Sequence, residues 1–330
     1  MPKIFLSPSL QPGNLYVNGG NEAQYMGYLA DALEPYLTVN GISYTRSRYP
    51  NTLSNAINTS NQGNYDLHLA LHSNASPEGR EGQFRGIQAY YYPTSVQGRI
   101  AATDLADSLK NIYPDPMLVY TVPSTVITEV RRTKAPAVLM EIGYHDNLED
   151  ADWIKANIQN IALYLAKGLC TYFKIPFRDV CQKTGQPIVN VSNPRINAYV
   201  RICTRDGDNL NIRANPNTGS PVIGQIPANE KALLLEKLPN GWARIRYNAI
   251  EGYASGNYLC ICDDSVNQQV GRVNTSGGNL NLRSTPSLNE NVIARIPDNA
   301  TVEILSSTGN WYQIRYMGSI GYVLKDFIVL

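Results

Sequence analysis

The sequence predicts an α/β domain, with a central sheet covered by helices, followed by two small β-barrels. Two observations lead to this prediction. Strand-like and helix-like apolar patterns alternate through residues 1–177, which is typical of helices packed on a sheet. Residues 198–330 contain an internal repeat whose short apolar runs are separated by turn residues, which favours small barrels.

The first region reads as strands of period two and helices of period 3.6. The last helix is the clearest, because Ile154, Ile158, Ile161 and Leu165 form one stripe. Pro35 is expected to kink or end the first helix. The predicted strands are Lys3–Ser7, Ile42–Thr45, Asp66–His72, Ile87–Tyr92 and Ala137–Ile142, and the predicted helices are 22–37, 99–113 and 150–173.

The repeat is visible as matching motifs in fixed order. The motif "NLNIR" at 209–213 recurs as "NLNLR" at 279–283, and Trp242 pairs with Trp311 after a one-residue slip. We expect the Trp pair to lie in the barrel cores, with contact to a ligand as the alternative. The predicted domains are residues 1–177, 198–262 and 270–330, joined by linkers at 178–197 and 263–269.

Composition narrows the class of protein. Charged residues make up 17% and the net charge is +1, which argues against a nucleic-acid partner. No run approaches the roughly 20 apolar residues of a membrane helix. The N-terminus lacks a signal-peptide pattern, so we expect synthesis in the cytoplasm, and another factor must release the protein if its substrate lies outside the cell. Cys260 and Cys262 are two apart in a probable strand and are not expected to bond to each other, so the five Cys are expected to be mostly small buried or half-buried residues.

Few residues can carry chemistry, since the chain has three His. His72 ends a predicted strand, where ligands bind in open α/β sheets. Glu141 lies near the end of another strand, where it either has a chemical role or pairs with a residue such as Arg131 or Arg132. Glu22 begins the first helix, a position that also favours an acidic side chain for purely structural reasons.

Together these segments resemble the zinc-dependent N-acetylmuramoyl-L-alanine amidases of the amidase-3 type. The resemblance runs in order through "KIFLSPSLQ", "NEAQYMGYLADAL", "NYDLHLALHSNAS" and "RRTKAPAVLMEIGYHDN", within residues 3–173. It implies a mixed sheet, Zn²⁺ bound by Glu22 and His72, and Glu141 as the catalytic carboxylate. It also implies that Asn74 and Asn147 bind substrate or shape its loops.

One departure concerns the turn after the first strand, where the family carries a zinc-binding His. Here the turn reads Ser-Pro-Ser-Leu-Gln; Leu10 has no ligand atom and Gln11 is a poor ligand. Catalytic zinc generally has three protein ligands. We therefore predict His145 as the third ligand, with a surface or substrate contact as the alternative. His68 is expected in the core or behind the ligands, because four strand residues separate it from His72 by roughly 13 Å.

The repeats resemble bacterial SH3 domains through "NLNIRANP…GWARIRY" and "NLNLRSTP…NWYQIRY". This implies binding to cell-wall peptidoglycan, often through its peptide stems or cross-bridges, although a passive spacer or a domain for a different ligand is the alternative. The combined resemblance implies peptidoglycan as the partner, both glycan strand and peptide stem, and hydrolysis of the amide bond between N-acetylmuramic acid and L-alanine in a Gram-positive wall. A phage endolysin or a bacterial autolysin would act on that wall after release by lysis or through a holin. A binding protein with a degenerate amidase fold is the second interpretation.

Overall fold

The structure is a computed structural model that describes residues 1–181, 184–191, 194–205, 207–262, 269–289, 291–317 and 319–329. Backbone contacts divide the chain into two compact units, Met1–Asp263 and Asp264–Leu330. Within the described ranges, no helix is both long and apolar enough to cross a membrane.

A six-stranded mixed sheet forms the centre of the first region, which confirms the predicted α/β class. The strands lie in the order β2-β1-β3-β6-β4-β5. Neighbouring strands are parallel except at the β4–β6 boundary, where they are antiparallel. The strands are β1 (Lys3–Pro8), β2 (Ser43–Arg46), β3 (Leu67–Asn74), β4 (Ile87–Tyr91), β5 (Val119–Pro123) and β6 (Ala137–Tyr144).

Five α-helices are described in this region. They are α1 (Glu22–Val39), α2 (Leu53–Gln62), α3 (Val96–Leu109), α4 (Thr128–Arg132) and α5 (Leu148–Phe173). Pro35 lies inside α1 and does not end it, so the helix continues to Val39. The apolar stripes of α1, α3 and α5 share the main core with the sheet. The short helices α2 and α4 were not predicted, because they have few buried residues and no apolar stripe.

The alternation of side chains along β3 gives the sheet two different faces. Leu67, Leu69 and Leu71 belong to the main core. Ala70 belongs to a smaller cluster with Val130 of α4 and Leu139 of β6. His68 and His72 are at even positions like Ala70, so they lie on the face that α4 covers. This places both histidines beside the side chains of α4.

The first barrel belongs to the same compact unit as the α/β region. Its strands pair in the order β10-β9-β13-β12-β11-β8-β14-β7. Strand β7 lies in the segment predicted as a linker and pairs with β14. The strands are β7 (Thr184–Pro187), β8 (Ala198–Ile202), β9 (Leu210–Arg213), β10 (Val222–Ile226), β11 (Lys231–Lys237), β12 (Trp242–Tyr247), β13 (Ile250–Ser255) and β14 (Leu259–Cys262).

Charged and polar contacts hold this barrel against α1. Arg246 Nη1 lies 2.6 Å from Asp31 Oδ2, and the guanidinium stacks 3.9 Å from the ring centroid of Tyr28. The buried hydroxyl of Tyr199 donates to the backbone oxygen of Ala32. These contacts involve side chains that are largely removed from water, so the first barrel is packed onto the α/β region and not merely tethered to it.

Four of the five cysteines form disulfides, contrary to the expectation of small buried thiols. Cys181 bonds to Cys262 and Cys203 bonds to Cys260, while Cys170 is free and buried. The expectation failed because it considered only whether Cys260 and Cys262 could bond to each other. Strand β14 instead presents each of them to a different part of the chain.

The second unit is a seven-stranded sheet that repeats the first barrel, with strand order β17-β16-β20-β19-β18-β15-β21. Its core includes Leu280, Leu282, Ile296 and Ile314. Most of the predicted linker 263–269 lies outside the described residues. The strands are β15 (Gln269–Val273), β16 (Asn279–Arg283), β17 (Val292–Pro297), β18 (Thr301–Thr308), β19 (Trp311–Tyr316), β20 (Ser319–Leu324) and β21 (Ile328–Val329).

Candidate active site

A cavity of roughly 480 Å³ opens where β1, β3 and β6 end, beside α4. Ligands bind at such strand ends in α/β sheets because the loops that follow the strands leave a crevice there. Three acidic or basic side chains line it: His72, Glu129 and Glu141. Ser7, near the end of β1, and Leu10 and Gln11, in the turn after it, also line the cavity.

Glu22 and His72, both predicted as site residues, are brought together. Asn21 caps α1 by accepting a hydrogen bond from the Gln24 backbone, which places Glu22 in the first turn. Glu22 Oε1 lies 2.9 Å from His72 Nδ1. The carboxylate also accepts hydrogen bonds from Asn14 Nδ2 at 2.6 Å and the Ser73 backbone at 3.1 Å.

The pKa of Glu22 reflects two opposed effects. Burial raises it, but the hydrogen bond and the charge of His72 outweigh burial, and the net pKa lies below the ordinary value. Glu22 is therefore a fixed anion in the site, although it is only 1% exposed.

Glu129 is a site residue that the sequence analysis missed. It is 3% exposed and lies between the two histidines of β3. Its Oε1 lies 2.8 Å from His68 Nε2, and its Oε2 lies 3.6 Å from His72 Nε2. Ser7 Oγ also donates to it. Burial raises the carboxyl pKa, but the hydrogen bonds and charges of His68 and His72 dominate and hold it well below its usual range.

His72 therefore has a carboxylate at each ring nitrogen. Burial lowers its pKa, whereas Glu129 and Glu22 raise it, and the net result is a pKa of about 10. In the chain without a bound cation, the ring is an imidazolium at neutral pH. A cation attracted by the same carboxylates can take the place of that proton.

Glu141 is the third charged group in the cavity. Its Cα is the register partner of His72 across the β3–β6 pair. Its Oε2 is buried and has no hydrogen-bond partner among the described residues. Burial raises the carboxyl pKa to about 7, with His72 lowering and Glu22 raising it to smaller extents. A carboxyl group with this pKa can take up and release a proton near neutral pH.

His145, predicted as the third metal ligand, does not join Glu22 and His72. Its ring is 6% exposed. Its Nδ1 lies 2.8 Å from the backbone oxygen of Ser73, and the ring stacks on Tyr16. The physical reason is its position after β6, where its backbone N–H donates to Asn74 and its ring turns away into the protein. Among the described residues, no three His, Cys, Asp or Glu side chains are grouped so as to hold a metal ion.

Asn74 and Asn147, both predicted to contact substrate or shape its loops, make hydrogen bonds within the protein, and neither is among the residues that line the cavity. Asn74 Nδ2 donates to Gln88 Oε1 at 3.2 Å. Asn147 caps α5, because its side-chain oxygen accepts a hydrogen bond from the backbone N–H of Asp150. Its Nδ2 donates to the backbone oxygen of Gly82 at 2.7 Å. Their contact with a substrate stays a prediction.

Each barrel carries a groove made from the same repeat positions. The groove of the first barrel encloses roughly 600 Å³, and that of the second roughly 290 Å³. Trp242 and Trp311 are half-buried and line these grooves, so the expectation that they lie in the cores was wrong. The shared lining residues are Asn209, Leu210, Asn211, Arg213 and Trp242 in the first barrel, and Asn279, Leu280, Asn281, Arg283 and Trp311 in the second.

Comparison with known sequences supports the resemblance found for the first region and the one found for the two repeats. The sequence pattern of the N-acetylmuramoyl-L-alanine amidase family matches residues 9–171, and the bacterial SH3 domain pattern matches residues 208–259 and 278–329. YrvJ of Bacillus subtilis (strain 168), which is provisionally named as an N-acetylmuramoyl-L-alanine amidase, is 29% identical over 136 residues. That match covers 38% of this chain and 26% of YrvJ, so the chain spans about a quarter of this relative's length.

Several solved structures are similar to the first region. The N-acetylmuramoyl-L-alanine amidase AmiC2 of Nostoc punctiforme is 18% identical, with a TM-score of 0.47, over 52% of this chain and 97% of that one. The catalytic domain of the CD27L endolysin targeting Clostridia difficile is 26% identical, with a TM-score of 0.45, over 52% of this chain and 98% of that one.

Proposed function

Residues 9–171 of this chain belong to the N-acetylmuramoyl-L-alanine amidase family and are followed by two bacterial SH3 domains, and from this we propose that the chain is a peptidoglycan amidase. The bond cleaved would join the lactyl carbonyl of N-acetylmuramic acid to the nitrogen of L-alanine. The observation that carries the proposal is the buried Oε2 of Glu141, which has no hydrogen-bond partner among the described residues and belongs to the register partner of His72 in the Glu22–His72 pair.

The residues present fit a bound divalent cation. Glu22 Oε1 and His72 Nδ1 lie 2.9 Å apart, which is close enough for both atoms to bind the same cation. Glu129 faces the other nitrogen of His72, as outer carboxylates do in zinc sites. Glu22 and His72 would hold Zn²⁺, which supplies Lewis-acid activation of water and of the scissile carbonyl.

Glu141 would perform the proton transfers. In its ionised form it accepts a proton from the water whose oxygen attacks the lactyl carbonyl carbon. It then gives that proton to the nitrogen of L-alanine as the carbon–nitrogen bond breaks. The products are a carboxylate on the glycan strand and a free amino group on the peptide stem.

Digestion of purified peptidoglycan tests this proposal. We expect the full chain to release L-alanine amino groups and to create no reducing sugar ends, and a chelator to stop the release. New reducing ends would indicate a glycosidase. Wall binding without release of amino groups would favour the non-catalytic binding protein instead.

The paired grooves support wall binding by both barrels, because the ligand-sized groove and its half-buried Trp occur in each copy. Two weak sites on one chain can raise overall affinity by about 10²–10⁴ when both engage the same wall. Peptidoglycan repeats its chemical units, so it can occupy both grooves.

Substitution of the groove tryptophans should weaken wall binding. With Glu141→Gln as background, so that the wall stays intact, we expect Trp242→Ala or Trp311→Ala to weaken binding about tenfold and the double variant at least about 100-fold. Sedimentation with purified walls measures this. Val222→Ala, at an exposed β10 position outside the groove, is the control and should bind normally. Unchanged binding by a folded double variant would show that the grooves are not the wall-binding sites.

A further inference from the structure

The turn after β1 places Gln11 at the mouth of the cavity, opposite the Glu22–His72 pair. Gln11 Nε2 lies 3.5 Å from His72 Nδ1, the same nitrogen that lies 2.9 Å from Glu22 Oε1. We propose that the side-chain oxygen of Gln11 is the third protein ligand of the cation, together with Glu22 and His72. This inference rests on the metal dependence in the proposed function, and it replaces the predicted role of His145.

The orientation of His72 supports Nδ1 as the nitrogen that faces the cation. Glu129 Oε2 faces Nε2 at 3.6 Å, and Glu129 is itself held by His68 and Ser7. A carboxylate in this position accepts the outer N–H of a ligating imidazole and fixes its tautomer. The lone pair of Nδ1 is then directed toward Glu22 and Gln11.

The chemistry around Nδ1 selects the oxygen of the Gln11 amide. Beside Glu22, Nδ1 either donates a proton to the carboxylate or shares a cation with it. In both cases an amide N–H directed at Nδ1 would be repelled by the proton or the cation there. The amide oxygen would be attracted to either of them. Rotation of the amide by 180° about the Cγ–Cδ bond exchanges the oxygen and the nitrogen while the rest of the side chain stays in place.

The separations suit a shared cation. A tetrahedral zinc site with bonds of about 2.0–2.1 Å has ligand atoms roughly 3.3–3.4 Å apart. The two separations from Nδ1, 2.9 Å to Glu22 and 3.5 Å to Gln11, lie on either side of that value. The ligand atoms would then be one nitrogen and two oxygens.

Oxygen ligands make this site harder in the chemical sense than one with two imidazoles. Carboxylate and carbonyl oxygens suit Mn²⁺ and Mg²⁺, whereas imidazole suits Zn²⁺. We therefore expect Zn²⁺ to bind more weakly to the natural chain than to the Gln11→His variant, which adds an imidazole to the same turn. The preference for Zn²⁺ over Mn²⁺ should also rise in that variant.

Zinc titration of the metal-free full chain, against a competing chromophoric chelator, tests the inference without measuring activity. We expect one Zn²⁺ per chain, at least about tenfold weaker binding in Gln11→Ala, and tighter binding in Gln11→His. His145→Ala should bind like the natural chain. Gln97→Ala, at an exposed position on α3, is the matched control. Thermal unfolding of the metal-free variants confirms that each one is folded.

The outcomes separate the inference from the proposed function. Natural affinity in Gln11→Ala, with loss of binding in Glu22→Gln, would overturn the role of Gln11 and leave the amidase proposal standing. Weaker binding in His145→Ala would return the third position to His145. If the natural chain binds no Zn²⁺ and digests peptidoglycan in the presence of chelator, both the inference and the metal dependence are overturned.

Discussion

Glu141→Gln should reduce peptidoglycan hydrolysis by about 10³-fold, within the range that a general acid–base group contributes. The amide has nearly the shape of the carboxyl group but cannot accept a proton from water. Because burial already raises the pKa of Glu141 to about 7, the protein tolerates an uncharged group at this position. We therefore expect folding and wall binding to be unchanged. Release of L-alanine amino groups measures the effect.

Glu78→Gln is the matched control, since Glu78 is exposed on the loop after β3. It should digest walls at the natural rate. If Glu141→Gln also keeps the natural rate, Glu141 does not transfer the proton. A variant that loses activity together with thermal stability would indicate a structural role for Glu141, so unfolding is measured on the same preparations.

Glu129→Ala should lower the free energy of unfolding by about 3–5 kcal/mol at neutral pH, the usual cost of breaking a buried ion pair from one side. The substitution leaves His68 and His72 without their shared carboxylate. Denaturant unfolding in the presence of chelator measures the loss. We also expect weaker zinc binding, because His72 loses the group that orients its ring.

The pH dependence identifies the cause of this loss. The pKa of Glu129 is lower in the folded chain than its ordinary value of 4.5. Its stabilising contribution is therefore fully present above pH 4.5 and is lost as the pH falls through the lowered folded value. The difference between natural chain and variant should shrink in acid. Glu149→Ala, which removes a mostly exposed partner of Arg85, should cost less than about 1 kcal/mol. A pH-independent difference for Glu129→Ala would indicate lost packing instead.

Elements with a strong local pattern were predictable from the sequence. Helix α5 was predicted as 150–173 and spans Leu148–Phe173, because its apolar stripe has a clear helical period. Helix α2 was missed because only Ala56, Ile57 and Ser60 are buried in it. Helix α4 is a single short turn, and nothing in its local sequence shows that Glu129 faces the interior.

Site residues were predictable where their position in a helix or strand is enough to bring them to the site. Glu22 begins a helix, and His72 and Glu141 lie near strand ends, so topology alone brings them together. Glu129 was missed because its role depends on a contact with residues about 60 positions away. The one available signal was chemical, since two histidines on one buried strand face need a polar partner.

The prediction of the third metal ligand was limited in a different way, because it relied on residue type. His145 was chosen from the sequence because imidazole is the better zinc ligand and the residue follows Glu141 closely. In the structure its ring contacts Ser73 and Tyr16, which the local sequence does not indicate, and its role as a metal ligand stays a prediction. Gln11 was set aside on residue type alone, although it lies in the turn where the family has its ligand.

The bond between Cys181 and Cys262 would set the path of mechanical load if the barrels bind the wall as proposed. Cys181 follows α5 by eight residues, and Cys262 directly precedes the segment that leads to the second barrel. Tension applied through the second barrel therefore passes from Cys262 to Cys181 and on to α5. The chain between these two cysteines, which contains most of the first barrel, lies outside this covalent path. With the disulfide closed, we therefore expect tension along the chain to bypass the backbone of the first barrel.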